Sequence, residues 1–251
     1  MLKKRLIAVL ILRDGMIVQS DRFRHTNVIG NAITAVDFFN RWAVDEIVLL
    51  DVSRGTRHRE KFYPIVTGLS KKCFVPLTVG GRVTTVDEMR TLLRCGADKV
   101  AVNTEALRRP PFIAQCAQVF GSQCVVVSID VRQRGDGEYE VFADRGREGT
   151  GRSPVEWAQE AQALGAGEIF LTSVDRDGSR QGYDLDLLRA VTKSLDIPVI
   201  AFGGVFKWQD LVDGVVAGGA DAVSAANIFH YTEHSTKKAK EYMRAAGIDV
   251  R

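Results

Sequence analysis

Cysteine is scarce in this chain. Four of 251 residues are cysteine (Cys73, Cys95, Cys116 and Cys124), and none forms a C-x-x-C pair. They read as reduced, buried thiols of a cytoplasmic protein. Charge of one sign is also lacking. A net charge of +3 is too weak for a nucleic-acid binder, although small anions remain plausible ligands. No apolar run is long. The N-terminal "MLKKRLIAVLIL" is cut off by "RDG" with no small-residue cleavage site, so neither a signal peptide nor a membrane span is expected. A glycine-rich dinucleotide turn is missing too, because the first apolar run passes into "RDGMIVQSD". One H-x-x-E-H pattern occurs, "HYTEH" at 230–234. It follows the last strand-like run, and no convincing third ligand appears, so these read as helix-entry residues and no metal is expected.

What is present is a regular alternation. Eight short apolar runs can be counted: 5–12, 46–51, 76–79, 99–102, 124–130, 168–173, 198–201 and 222–225. Most are apolar almost throughout, as strands buried on both faces should be. Amphipathic stretches such as "VDEMRTLLRC" (86–95) and "SPVEWAQEAQAL" (153–164) lie between them. For the second, Ser153 is the expected N-cap, with Pro154 behind it and Glu156 at the capping-box position. Hydrophobic residues make up 45% of the chain, enough for a substantial core. The class is α/β, and eight strands with intervening helices predict a (β/α)8 TIM barrel in one domain, residues 1–251. An open doubly wound sheet is the runner-up, and it lacks its turn.

The halves repeat. "GGRVTTVDEMRTLLRCGAD" (80–98) aligns with "GGVFKWQDLVDGVVAGGAD" (203–221), with six of nineteen positions identical. "DEIVLLDVSRG" echoes "GEIFLTSVDRD". This predicts two (β/α)4 half-barrels, about 1–122 and 123–251, with pseudo-twofold symmetry. In the same alignment "AVLILR" (8–13) faces "VSIDVR" (127–132), so Ile11 is the counterpart of Asp130. One half offers a carboxylate at the barrel mouth and the other a hydrocarbon.

Loops after the strands form the functional face of such a barrel. The first half supplies Gly80, Gly81, Asn103 and Thr104; the second supplies Asp177, Gly178, Gly203, Gly204 and Asn227. Glycines let an anion approach backbone N–H groups, and helix N-termini behind them would add a favourable dipole. Two such sites suggest a ligand with a phosphate at each end, the alternative being that the glycines only make tight turns. Asp130 closes an apolar strand and is either an acid–base group or a structural cap for loop amides. The "GDG" in 133–152 signals a β-hairpin over the mouth. Its arginines (Arg132, Arg134, Arg145, Arg147 and Arg152) are either a solvated face or an attractor for anions.

Together "FGSQCVVVSID", "LTSVDRDGSRQGYD", "GADKVAVNT" and "GGADAVSAANIFH" resemble the cyclase subunit of imidazole glycerol phosphate synthase, nearly end to end. The resemblance implies a cofactor-free barrel that pairs with a class I glutaminase as a heterodimer. Ammonia would enter at the bottom and pass through the core to a bis-phosphate ribulosyl-aminoimidazole-carboxamide substrate. It also implies a substrate role for Thr172, an ammonia gate of Arg5, Glu46, Lys99 and Glu168, and a partner contact at Asp98. From sequence alone the gate residues are strand-start charges that could simply be solvated.

The departures are equally informative. Asp130 keeps one of the family's two catalytic aspartates, but Ile11 replaces the other. Gln19 replaces a loop lysine, Arg82 a glycine, and Phe202 a serine. An isoleucine cannot carry a proton, which puts ordinary cyclase turnover in doubt. The chain is also similar to paralogues encoded with surface-polysaccharide genes, which supply ammonia for acetamidino-sugar synthesis together with a sugar amidotransferase. Three readings stay open: ammonia supply for sugar amidation, an authentic histidine-pathway cyclase, and a non-catalytic scaffold that activates the glutaminase. None involves nucleic acid or a membrane.

Overall fold

The fold follows from the apolar runs. A computed structural model of the chain describes residues 3–54, 59–230 and 235–251. In chain order its strands are β1 (Arg5–Arg13), β2 (Met16–Asp21), β3 (Arg24–Gly30), β4 (Glu46–Asp51), β5 (Leu77–Gly80), β6 (Lys99–Val102), β7 (Val125–Gln133), β8 (Tyr139–Ala143), β9 (Glu148–Gly149), β10 (Glu168–Ser173), β11 (Val199–Phe202) and β12 (Ala222–Ala225). The eight anticipated runs are β1, β4, β5, β6, β7, β10, β11 and β12. They pair in parallel in that order, and β12 closes on β1. Carrying the register from Ile11 through Leu50, Gly80, Ala101, Val126 and Glu168, and on around, returns to β1 at residue 3. That is eight positions lower, the stagger of a closed eight-stranded barrel.

Alternation along the strands divides the core in two. Outward residues such as Leu6, Leu10, Ile47 and Val127 join the larger cluster beneath the helices. Inward residues such as Ile7, Val9, Val48, Val126, Phe170 and Ile200 form a separate apolar column inside the barrel. A period of two thus supplies both layers from the same strand.

Around the barrel lie α1 (Ala32–Arg41), α2 (Arg59–Ser70), α3 (Val86–Arg94), α4 (Thr104–Arg108), α5 (Pro111–Phe120), α6 (Pro154–Ala163), α7 (Leu185–Thr192), α8 (Trp208–Val216) and α9 (Ser235–Ala245). Several begin where a polar cap is available. Asn31 accepts from Ile33 N at 2.8 Å, Thr85 from Glu88 N at 3.2 Å and Asp184 from Leu187 N at 3.2 Å, each satisfying an orphan amide of a first turn. Ser153 precedes α6 with Pro154 in its first turn, as expected, but its hydroxyl makes no capping bond and the capping box does not form. Arg152 stands at this helix start instead, over the Trp157 ring and paired with Glu160. No helix among the described residues is long and apolar enough to cross a membrane.

Two antiparallel excursions cover the top. The anticipated one is β8–β9, which continues from β7 through the Arg134–Glu138 turn. Tyr139 ties it down by donating to Asp184 Oδ1 at 2.8 Å. The other is the β2–β3 hairpin that follows β1. Its strand β2, "MIVQSD", is three apolar residues followed by three polar ones, an apolar run too short to stand out beside the stronger runs.

Candidate functional site

The strand starts come first, because they carry buried charge. Arg5, Glu46, Lys99 and Glu168 are each the first residue of a barrel strand and point inward at the bottom. Arg5 Nη1 donates to Glu46 Oε1 at 2.7 Å and to Glu168 Oε1 at 2.8 Å. Lys99 Nζ donates to Glu46 Oε2 at 3.2 Å and to Glu168 Oε2 at 2.9 Å. The four side chains therefore close a ring of alternating sign across the barrel axis. Burial alone would lower the Arg5 pKa, but Glu168 and Glu46 more than offset it and raise it above the ordinary value. Lys99 is the most exposed member of the ring. These are not solvated strand-start charges.

A second set of bottom residues explains the Gly-Ala-Asp repeats. Asp98 accepts from Leu77 N at 2.7 Å, Asp221 from Val199 N at 3.1 Å, and Asp45 from Leu6 N at 2.7 Å. Each clamps the start of a neighbouring strand. Asp45 and Asp221 are neutralised by Lys240 at 2.6 Å and Lys4 at 3.1 Å. Asp98 is exposed and has no cationic partner among the described residues.

At the top, the mouth holds two cavities. The first, of about 330 Å³, is lined by Ile11, Gly81, Arg82, Asn103, Thr104, Asp130, Arg145, Thr172 and Phe202, among others. Asp130 is buried at its floor. Among the described residues its one side-chain hydrogen bond is a long contact from Ser128 Oγ at 3.4 Å, and no described loop amide donates to it, so capping does not explain its position. Burial pushes its pKa up to about 7, with Ser128 opposing, nearby Asp177 reinforcing and Arg132 opposing. Both amide atoms of Asn103 are buried here without a partner among the described residues. Thr104 Oγ1 accepts from Asp144 N at 3.0 Å. Thr172, beside Asp130 in the register, is fully enclosed.

The second cavity, of about 440 Å³, gathers Gln19, Asp177, Gly178, Gly203, Gly204 and Asn227. Asp177 is occupied by the β2–β3 hairpin: it accepts from Ser20 Oγ at 2.5 Å and from Phe23 N at 3.1 Å. Burial raises its pKa, and these two bonds oppose the rise. Asn227 Nδ2 donates to Ser20 O at 3.1 Å, while its Oδ1 is buried without a partner.

The glycine pairs have a structural cause. A Cβ on Gly81 (φ +134°) would lie 2.6 Å from Asp51 O, and one on Gly204 (φ +102°) would lie 2.1 Å from Gly182 O. Neither position tolerates a side chain. The long helices also start well beyond these turns, α3 at Val86 and α8 at Trp208, and α4 has only five residues. The expected helix dipole is therefore not aimed directly from behind the glycine pairs. Gly204→Ala is expected to lose about 2 kcal/mol or more of stability, since the clash is with backbone; an unchanged urea midpoint would contradict this packing.

The hairpin arginines divide. Arg134 pairs with Asp136 and Glu138, Arg147 with Asp144, and Arg132 with Asp175. Only Arg145 of the set lines a cavity; it donates to Val52 O at 3.1 Å and pairs with Asp144. Among the described residues no group of three or more His, Cys, Asp or Glu could hold a metal. In the "HYTEH" match, residues 231–234 and the side chain of His230 lie outside the description.

A family model described as "Histidine biosynthesis protein" matches residues 5–235. A protein of Vibrio vulnificus (strain YJ016) named "Putative imidazole glycerol phosphate synthase subunit hisF2" is 46% identical over 251 residues, covering 100% of this chain and 92% of that protein. The chain belongs to the imidazole glycerol phosphate synthase cyclase-subunit family.

As a member of this cyclase family, the chain has a lopsided mouth. Asp130 and Ile11 both line the first cavity, but only one can titrate. Sequence reasoning missed Ser20 and Phe23, whose places depend on the β2–β3 hairpin folding back, and Ser128, which stands on β7 two positions before Asp130. The buried Asp130 has a further consequence. Its folded pKa is raised, so between about pH 4 and pH 7 the native state holds a proton that the unfolded chain has lost. Stability should fall as pH rises through this window and level off above it. Asp130→Asn should therefore stabilise the protein at pH 8, by at most about 4 kcal/mol, and hardly at pH 4. Urea unfolding at both pH values checks this; an equal effect at both would contradict a neutral, buried carboxyl.

Proposed function

We propose that this barrel is the ammonia-receiving subunit of a glutamine amidotransferase complex. A class I glutaminase docks on the bottom face. Ammonia passes the charged ring, travels along the apolar interior and emerges beside Asp130. The acceptor differs from that of histidine biosynthesis, and sugar amidation for surface-polysaccharide assembly, with a separate sugar amidotransferase, is the reading that accounts best for the pattern. The observation that carries it is the contrast between the two ends. The bottom keeps a complete four-residue ring, whereas at the two repeat-equivalent strand ends of the mouth Asp130 is opposed by Ile11.

Two further features support the partner side. Among the described residues, Asp98 alone of the three strand-clamping aspartates lacks a cation, so a lysine or arginine of a docked subunit would complete it. Lys99, the most exposed ring member, is the one best placed to swing aside. A neutral ammonia molecule then meets a largely hydrocarbon column above it, such as Val48, Val126 and Ile200, with the buried Thr78 beside Lys99 in the register, where ammonium would be excluded by its desolvation cost.

The test uses the chain co-purified with a class I glutaminase subunit from the same genome. A heterodimer is expected. Asp98→Lys should weaken it about tenfold, the worth of one charge pair across an interface. Lys99→Glu should leave glutamine hydrolysis running while ammonia escapes to solvent instead of reaching the acceptor. Unchanged coupling in Lys99→Glu would count against a working gate. Sugar amidation that survives a blocked barrel interior would reduce the chain to a glutaminase-activating scaffold. A second reading, an authentic histidine-pathway cyclase, is favoured by one observation: Asp130 has a pKa near 7 in a cavity with anion-compatible walls. Efficient turnover of the histidine-pathway substrate with ammonia would select it.

A further inference from the structure

Among the described residues, the two mouth cavities share just two lining residues, Ser20 and Phe202. These form a partition. From below, Phe202 is buried and its ring packs on Phe170, with centroids 5.3 Å apart and planes tilted by 32°. Both belong to the apolar column that rises through the barrel and also contains Ile11. From above, β2 crosses the mouth at Ser20. Its hydroxyl donates to Asp177 Oδ2 at 2.5 Å and its carbonyl accepts from Asn227 Nδ2 at 3.1 Å. The bar is thus pinned by its side chain and its backbone to two different strand ends, while the wall beneath it is hydrocarbon.

Each compartment has its own polar equipment. The Asp130 compartment has the unpartnered amide of Asn103, with Arg82 and Arg145 among its lining residues. The other has the Gly203–Gly204 turn, with Arg180 among its lining residues. A ligand spanning both would have to lay a polar chain across Phe202 and displace the Ser20 bar, losing one buried and one partly buried hydrogen bond.

We propose that Phe202, with Ser20 above it, is the specificity determinant that makes the mouth two independent anion sites, and that the Asp130 compartment takes a small molecule carrying one anionic group. The uncharged body of that molecule lies on Ile11, Leu50 and Phe202, which holds its reacting atom beside Asp130. The proposal rests on the reading of the mouth as the acceptor's site, and it replaces the expectation of a single ligand with a phosphate at each end.

Calorimetry and amide chemical shifts on the full chain test it, with inorganic phosphate, ribose 5-phosphate and ribulose 1,5-bisphosphate as probes. Phosphate should bind at two sites, shifting the amides of Gly81 and Gly204 independently. The bis-phosphate should bind no more than about threefold tighter than the monophosphate, because the two sites give it no avidity. With the bis-phosphate bound, one site should remain open to inorganic phosphate. Phe202→Ala should remove the wall, so that the bis-phosphate binds one to one and gains about 100-fold over the monophosphate. Phe202→Leu, a smaller disturbance of the core, should give an intermediate gain. One-to-one bis-phosphate binding in the unmodified chain, about 100-fold tighter than the monophosphate and closing both sites to phosphate, would overturn the partition. So would the absence of saturable phosphate binding at either site. No arm requires a glutaminase or ammonia, so failure of the partition and failure of the ammonia reading give different results.

Discussion

Arg5→Met is expected to destabilise the protein by about 3–5 kcal/mol, the cost of stranding buried charge by removing one partner. Arg5 bridges Glu46 at 2.7 Å and Glu168 at 2.8 Å. Without it, two buried carboxylates face each other with Lys99 as the one remaining cation of the ring. Replacing the whole ring by apolar residues (Arg5→Met, Glu46→Leu, Lys99→Met and Glu168→Leu) should be close to neutral or even stabilising, because four desolvation penalties disappear together. Equilibrium urea unfolding gives both numbers. The comparison separates stability from purpose. A ring costly to break but harmless to delete is kept for what passes through it, and the fully apolar variant should still fold yet lose glutamine-to-acceptor coupling. A change of less than about 0.5 kcal/mol in Arg5→Met would mean that the four side chains are not held as a closed ring.

The second large effect concerns the acid–base vacancy. Ile11→Asp with Gln19→Lys should raise ammonia-dependent turnover of the histidine-pathway substrate by about 10²–10⁴-fold, the usual worth of a positioned acid or base. Ile11 lines the same cavity as Asp130 and packs in the apolar column beside Phe202. A carboxyl there would sit opposite Asp130 across one bound substrate. Asp130→Asn in that background should abolish the gain, since the two groups work on opposite sides. Gln19 lines the other compartment, where its side-chain oxygen accepts from Asn27 at 3.3 Å. Because the Phe202 wall keeps a bis-phosphate from engaging both compartments at once, turnover is to be measured at saturating substrate with binding followed separately. Adding Phe202→Ala should improve binding without replacing either carboxyl. Efficient turnover by the unmodified chain, independent of Asp130, would show that Ile11 was never a vacancy.

Much of this molecule is written locally. The eight barrel strands are legible because residues buried on both faces leave continuous apolar runs, and this holds from β1 to β12. The repeated Gly-Gly and Gly-Ala-Asp segments mark turns where backbone meets backbone, as at Gly204 against Gly182, and strand clamps, as at Asp98 with Leu77. Asp130 is identifiable because a carboxylate at the end of an apolar strand has few places to point. The vacancy at Ile11 needs only the alignment of the two halves.

Other features exist only once the barrel closes. Arg5 and Glu168 are 163 residues apart, and nothing in either strand start states that they share a hydrogen bond. Closure brings the inward-pointing first residues of β1, β4, β6 and β10 to one axis, which turns four separate charges into a ring. Ser20 shows the same dependence. In sequence it is a polar position on a weakly marked strand; in the fold it is pinned to Asp177 and Asn227 and divides the mouth. Phe202 becomes a wall because the adjacent strand, β10, supplies Phe170. The placement of the helices behind the glycine pairs was also decided in three dimensions, where the connecting loops carry α3 and α8 away from the turns. Composition and periodicity act over a few residues and so determine strands, turns and single side-chain orientations. Which of those side chains meet is set by the stagger and closure of the sheet, a property of all eight strands at once.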